Sequence, residues 1–257
     1  LSFFVATYVA RYLGPTNYGA LSYAIGFVGL FSFLSNLGID QIIYRELIKD
    51  PEKKNILLGS SLGLKLGAGT LAFALASITS LFIDKSAFVT SLILIISLSF
   101  LFQPFHIVNF YFQSQVKAKK ITIVQLIVAF ILAIAKVALA LYGFGIYYFS
   151  AIFALEALLY AIFYISLYHK SGNALAWRFD KKTAWFLLSE SWPYMIATAL
   201  AVIYTRIDQV MIKHIIDTTS VGIYDAAVRV AEIWYFIPGA IITSMFPAIV
   251  NARKAAD

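Results

Sequence analysis

From Ser86 to Val116 the chain carries no Asp, Glu, Lys or Arg. A helix needs roughly 20 predominantly apolar residues to cross a bilayer. A run of that length in water would leave its backbone and side chains without a polar face, so this stretch constrains the chain to a lipid environment. Similar runs recur along the sequence, and only 13% of residues are charged while 61% are hydrophobic. Soluble domains hold about 25% charged residues, so the chain lacks the charge to cover a water-facing surface. The expected fold class is an all-α polytopic membrane protein.

Eight spans are predicted: a truncated 1–13, then 18–43, 56–82, 87–113, 120–142, 146–168, 193–215 and 221–250. The connections alternate in character. Those at 44–55, 114–120, 169–192 and 251–257 hold four, three, four and two Lys or Arg, whereas those at 14–17, 83–86, 143–145 and 216–220 hold one between them. By the positive-inside rule the basic loops are expected in the cytoplasm. This predicts a multi-pass protein of the cell (inner) membrane with its N-terminus cytoplasmic. The chain opens without Met in an apolar run, read as the tail of a span. The net charge of +7 is assigned to topology and not to nucleic acid. The longest connection, 169–192, is basic and holds Trp177, Trp185 and Trp192. Its second half reads as an amphipathic helix lying at the inner interface. The division is therefore 1–168 as a first six-helix lobe, 169–192 as an interfacial linker, and 193–257 as the incomplete first hairpin of a second lobe.

Sliding the chain by 203 positions places Thr16 on Thr219, Gly19 on Gly222, Ala24 on Ala227 and Phe33 on Phe236. Each stretch joins an outgoing span to a returning one. Six spans separate them, an even number, so a parallel repeat about an axis along the membrane normal is expected. Chance similarity between two Gly-containing turns is the alternative.

Polar residues inside spans need a reason, because a mid-bilayer charge costs roughly 2.5–3.5 kcal/mol on insertion scales. Span two aligns Ser22, Gly26, Gly29, Asn36 and Asp40 on one side. Span three spaces Gly59, Gly63 and Gly67 four apart, read as close helix packing, with Lys65 off that stripe and deep. Span four holds Gln103, His106, Asn109 and Gln113 on one side of a kink expected at Pro104. That flank suits either a water-filled cavity or hydrogen bonding within the bundle. Lys136 and Glu156 are single charges in spans five and six. The last hairpin is densest: Arg206, Asp208 and Lys213, then Asp225, Arg229 and Glu232. An Asp225–Arg229 pair stapling the hairpin and a cationic cavity wall are both open. No GxxxxGK[ST], HExxH or GxSxG occurs. With no Cys, thiolate chemistry is excluded. An enzyme is not expected, and no cofactor or metal site is read.

The stretches "ARYLGPTNYGALSYA", "LSNLGIDQIIYREL" and "RIDQVMIKHIIDTTSVGIYDAAVRVAEIWYFIPGAI" resemble polysaccharide-biosynthesis flippases of the O-antigen (Wzx) type. These belong to a superfamily with the MATE drug exporters and peptidoglycan-lipid flippases. The resemblance implies two six-helix lobes around a central cavity and rocking-type alternating access. It implies transport of undecaprenyl-pyrophosphate-linked oligosaccharide from the inner to the outer leaflet, driven by an H⁺ or Na⁺ gradient. Polysaccharide polymerase and glycosyltransferases are the expected partners, beside membrane lipid. On that reading Arg206, Arg229, Lys65 and Lys136 are candidate cations for the pyrophosphate. Asn36, Asp40, His106 and Asn109 are candidates for sugar hydroxyls, and Asp208, Asp225 and Glu156 for ion coupling. A cation-coupled drug exporter, a peptidoglycan-lipid flippase and a membrane glycosyltransferase or ligase are the alternatives.

The absence of Cys makes the topology directly readable. Single cysteines at Ser86 and Gly145 should react with a membrane-impermeant maleimide in intact cells, and one at Ser171 only after permeabilisation. Reversed labelling would invert the assignment.

Overall fold

The computed structural model describes residues 2–84, 86–173, 175–232 and 234. Among them every regular element is helical. The order is α1 (Ser2–Gly29), α2 (Ser32–Asn36), α3 (Asp40–Lys49), a 3₁₀ turn (Pro51–Lys53), α4 (Lys54–Ile83), α5 (Ala87–Ser97), α6 (Ser99–Phe102), a second 3₁₀ turn (Gln103–His106), α7 (Ile107–Ser114), α8 (Ala118–Leu141), α9 (Ile146–Lys170), α10 (Lys181–Ile215) and α11 (Thr218–Glu232). Five stretches are long and apolar enough to span a membrane, or six if the bent pair Phe4–Gly29 and Ser32–Lys49 is one span. That is an all-α multi-pass membrane fold. The expected eighth span beyond residue 234, with Phe236 of the repeat, lies outside the described residues.

The first element is a hairpin. Gly14 sits at φ 73°, ψ 166°, a conformation open to glycine and strained for any other residue. Pro15 follows, suited to a first helical turn. Ala6 shares a cavity wall with Arg229, while Ser22 bonds Asp225, one turn away on α11. On a straight helix Ala6 and Ser22 would stand about 24 Å apart. The two limbs must therefore fold back at Gly14, the turn the sequence places at 14–17.

Expected span two does not run on as one helix. It breaks after Gly29 and again at Leu37-Gly38, where both residues take positive φ. Gly38 is pressed against the backbone of Ser191, Tyr194 and Met195 on α10, where a β-carbon has no room. The predicted stripe is therefore split: Ser22, Gly26 and Gly29 face α10 and α11, and Asn36 and Asp40 turn elsewhere. Pro104 breaks span four as expected, through the 3₁₀ turn Gln103–His106.

Two expectations are corrected. The Gly59/Gly63/Gly67 stripe does not receive another helix. Gly59 takes the backbone of Arg178, Gly63 takes the ring of Phe179, and Gly67 meets nothing within 4 Å. The linker is pinned there, its Arg178 N–H donating to the Asn55 carbonyl at 3.0 Å and its Asp180 N–H to Ser60 Oγ at 3.0 Å. Nor is there a separate interfacial helix before residue 193. α10 runs unbroken from Lys181 through Pro193 to Ile215. Its start is set by Asp180, whose carboxylate accepts the Thr183 N–H at 2.8 Å and the Thr183 hydroxyl at 2.7 Å. These bonds hold the Asp180 carboxyl below the usual carboxylate range.

The buried side chains form two clusters. Tyr18, Tyr23, Phe27, Leu92, Phe100 and Phe149 gather towards the short turns. Ile43, Leu58, Phe112, Val128, Tyr168 and Leu187 gather towards the basic loops. Outside them, Phe82, Ile134 and Leu141 stand 85%, 68% and 70% exposed, which only a lipid surround makes favourable.

The 203-residue offset reappears as geometry. Thr16 and Thr219 share a hydrogen bond at 3.1 Å, Gly19 and Gly222 touch, and Ser22 bonds Asp225 at 3.0 Å. Gly19 lies against the Thr218 carbonyl and Gly222 against the Pro15 carbonyl, a reciprocal pair at the same offset. Contacts between a residue and its own counterpart, with neighbours exchanged, define a two-fold axis. It runs between the second limb of α1 and α11.

A β-carbon at Gly222 would meet the Pro15 carbonyl. Gly222→Ala should therefore destabilise the full-length protein by about 1–3 kcal/mol, read by thermal unfolding in detergent. Gly67→Ala, in open space within a helix, should be neutral or stabilising by about 0.4–1 kcal/mol.

Candidate functional site: charged cavities along the repeat axis

Asp225 is 4% exposed and would be costly to bury unpaired. It is fully engaged. Tyr18 donates to it at 2.7 Å, Ser22 at 3.0 Å, Gln209 Nε2 at 2.8 Å and Arg229 Nε at 2.8 Å. One carboxylate thus joins α1, α10 and α11. The structure brings Arg229 and Asp225 together as an ion pair within α11, which does not itself staple the hairpin; Gln209 of α10, donating to Asp225, does that, and the ligands Tyr18, Ser22 and Gln209 were not foreseen. Tyr18 and Ser22 lie one helical turn apart, which was the available signal.

Nearer the short turns is a second carboxylate, which sequence reasoning passed over. Asp84 accepts a hydrogen bond from Tyr23 at 2.9 Å and forms an ion pair with Lys213 of α10. The Lys213 ammonium also lies 3.7 Å from the Tyr23 ring centre, and His214 meets the same ring edge-on. Lys213 thus reaches Asp84, while Arg206, seven residues earlier on α10, lies beside Gly29. No sequence spacing links Asp84 to Lys213, because they lie on segments 129 positions apart.

Three cavities hold most of the remaining candidates. The first, about 330 Å³, is lined by Arg206, Asp208, Asp225, Arg229 and Glu232. Arg206 packs beside Gly29, and Asp208 accepts from the Tyr224 hydroxyl. The second, about 540 Å³, contains Lys136, Glu156 and Arg229 among apolar side chains of α1 and α8. The third, about 420 Å³, gathers Asn36, Asp40, His106, Asn109 and Glu156 with Ser32, Ser99, Gln103 and Tyr160. Arg229 lines the first and second, and Glu156 the second and third. Three of the four residues of the predicted polar flank of span four thus line a cavity, and the fourth, Gln113, donates to Asn109 on its own helix. His106 packs edge-on to Tyr160 and Tyr164, and its Nε2 has no hydrogen-bond partner.

Lys65 does not join these walls. Its side chain is 2% exposed and forms an ion pair with Asp40. The ammonium is neutralised within the helix bundle, because its depth on α4 denies it water and Asp40 supplies the nearest charge. Asp40 lines the third cavity as the outer member of that pair.

The Asp84–Lys213 pair can be tested by exchange. Removing one partner of a buried pair costs about 3–5 kcal/mol. Asp84→Asn and Lys213→Ala should each lower the unfolding temperature of the full-length protein, and the swap Asp84→Lys with Lys213→Asp should recover part of it. Additive losses would show that the pair is not coupled.

The profile of a family described as "Polysaccharide biosynthesis protein" matches residues 1–252. No curated protein and no solved structure gives a significant match. The match spans both halves of the repeat and every cavity described above. The chain belongs to the polysaccharide biosynthesis protein family.

Proposed function

We propose that the full-length protein is a flippase, not an enzyme, that moves a polyprenyl-pyrophosphate-linked oligosaccharide from the inner to the outer leaflet of the cell membrane. The observation that carries this reading is the pairing of Arg206 and Arg229 in one cavity beside the repeat axis. Arg229 is aligned by Asp225 through Nε alone. Arg206 has no ion-pair partner among the described residues. Two guanidinium groups at this depth offset the desolvation of a pyrophosphate, which their planar forks match. The hydroxyl- and amide-lined third cavity supplies partners for sugar hydroxyls. A cationic drug would need free carboxylates; in the arginine cavity Asp225 and Asp208 are already held by protein donors, which leaves Glu232 alone set against two arginines.

Of the three acids considered for ion coupling, Glu156 fits best. It makes no ion pair among the described residues and borders two cavities. Protonation there would remove a negative charge from the wall that the anionic carrier passes.

Transport by the full-length protein in vesicles tests both assignments. Arg206→Ala and Arg229→Ala should each weaken carrier binding by about 1.5–3 kcal/mol, with the Lys variants intermediate. Unchanged transport with both arginines removed would defeat the clamp. Glu156→Gln should abolish gradient-driven accumulation while leaving equilibrium exchange. Intact gradient dependence would move the coupling site elsewhere.

A further inference from the structure

The second cavity continues sideways into an apolar groove. Val5, Phe130 and Ala133 line both. The groove, about 800 Å³, is completed by Ile134, Val137 and Leu141 of α8, among others. Its walls are apolar and face outward, with Phe130, Ile134 and Leu141 57%, 68% and 70% exposed. A lipid-facing groove alone would need no explanation. This one leads between α1 and α8 to Lys136 and Arg229.

The position of Arg229, far along its helix, argues against ordinary bilayer lipid as the reason for it. Lys136 lies five residues before the end of α8, about 8 Å below it, and Arg229 about 16 Å below the start of α11. A phospholipid keeps its phosphate at the interface, so it would not reach both. No carboxylate is within ion-pair distance of Lys136 among the described residues. Its ammonium instead stands 5.8 Å from the Phe153 ring centre. Glu156 is the one carboxylate lining that chamber among the described residues, and Arg229 is paired through its Nε with Asp225, so Lys136 is the cation there without an ion-pair partner.

We propose that the gap between α1 and α8 is the lateral portal for the carrier's polyprenyl chain. The chain lies in the groove, and its phosphate is met by Lys136 and Arg229. The sequence of surfaces matches such an amphiphile in order: apolar groove, cationic chamber, then the polar cavity bounded by Glu156 and lined by Asn109 and His106. This inference rests on the flippase reading and adds the route of the chain to it. Ala133 stands at the shared wall and Lys136 at the far side, so passage of a chain depends on both.

The test uses the full-length protein in nanodiscs and a polyprenyl phosphate carrying a diazirine in its chain. Irradiation should label residues 130–142, and excess unlabelled polyprenyl phosphate should abolish the labelling while phosphatidylglycerol does not. Ala133→Trp, which fills the groove, and Lys136→Gln should each reduce the competed labelling about tenfold. Leu71→Trp, on the exposed face of α4, should leave it unchanged. Labelling removed equally by phosphatidylglycerol would reduce the groove to annular lipid and overturn the proposal. Competed labelling on another segment would overturn the portal while keeping carrier recognition. Absence of any competed labelling would overturn the portal and the flippase reading together.

Discussion

The close approach of Gly19 and Gly222 is the constraint on which the remaining architecture depends. Two helices can touch backbone to backbone only where neither carries a β-carbon. At this point each glycine rests on a carbonyl of the other half of the repeat. The contact brings Thr16 to Thr219 and Ser22 to Asp225 in one register. That register then delivers Tyr18, Gln209 and Arg229 to the same carboxylate. A larger residue at either glycine would separate the helices and leave Asp225 buried with fewer donors, a much costlier state than the exposed one.

From that contact the charges fall into two groups. Near the short turns the acids are occupied: Asp225 by its four donors, Asp84 by Tyr23 and Lys213. Each acid belongs to one side of the repeat and is held at least partly by the other. They act as fasteners between α1 or α4 and the α10–α11 pair. Arg206 and Glu156, farther along the spans, and Lys136, at about the depth of Asp225, line cavities without ion-pair partners among the described residues. On the proposed flippase reading, the paired charges would fasten the halves and the open ones would meet cargo.

Much of this was legible in the sequence because it depends on local pattern. Uncharged runs gave the membrane class, Gly14-Pro15 gave the first turn, Pro104 gave the kink, and four matched residues gave the repeat. What escaped depends on how distant segments meet. Lys65 looked like a buried cation available to cargo, but Asp40, 25 positions away, neutralises it. The spacing of Gly59 and Gly63 signals a close approach without revealing what approaches, and the visitor is the extended linker. A span was expected to start at 193, yet the Asp180 cap had already started the helix twelve residues earlier. Asp84 and Lys213 carry no shared motif at all.

The central claim is that the two halves of the repeat meet at their turn ends along this axis and must part there for cargo to leave. The Thr16 and Thr219 oxygens, 3.1 Å apart, lie on that seam in a chain without Cys. A full-length protein carrying Thr16→Cys and Thr219→Cys measures the claim directly. The account predicts that mild oxidation links the pair, halts transport of lipid-linked oligosaccharide, and that reduction restores it. Failure of the cysteines to link, or full transport by the linked protein, would contradict it.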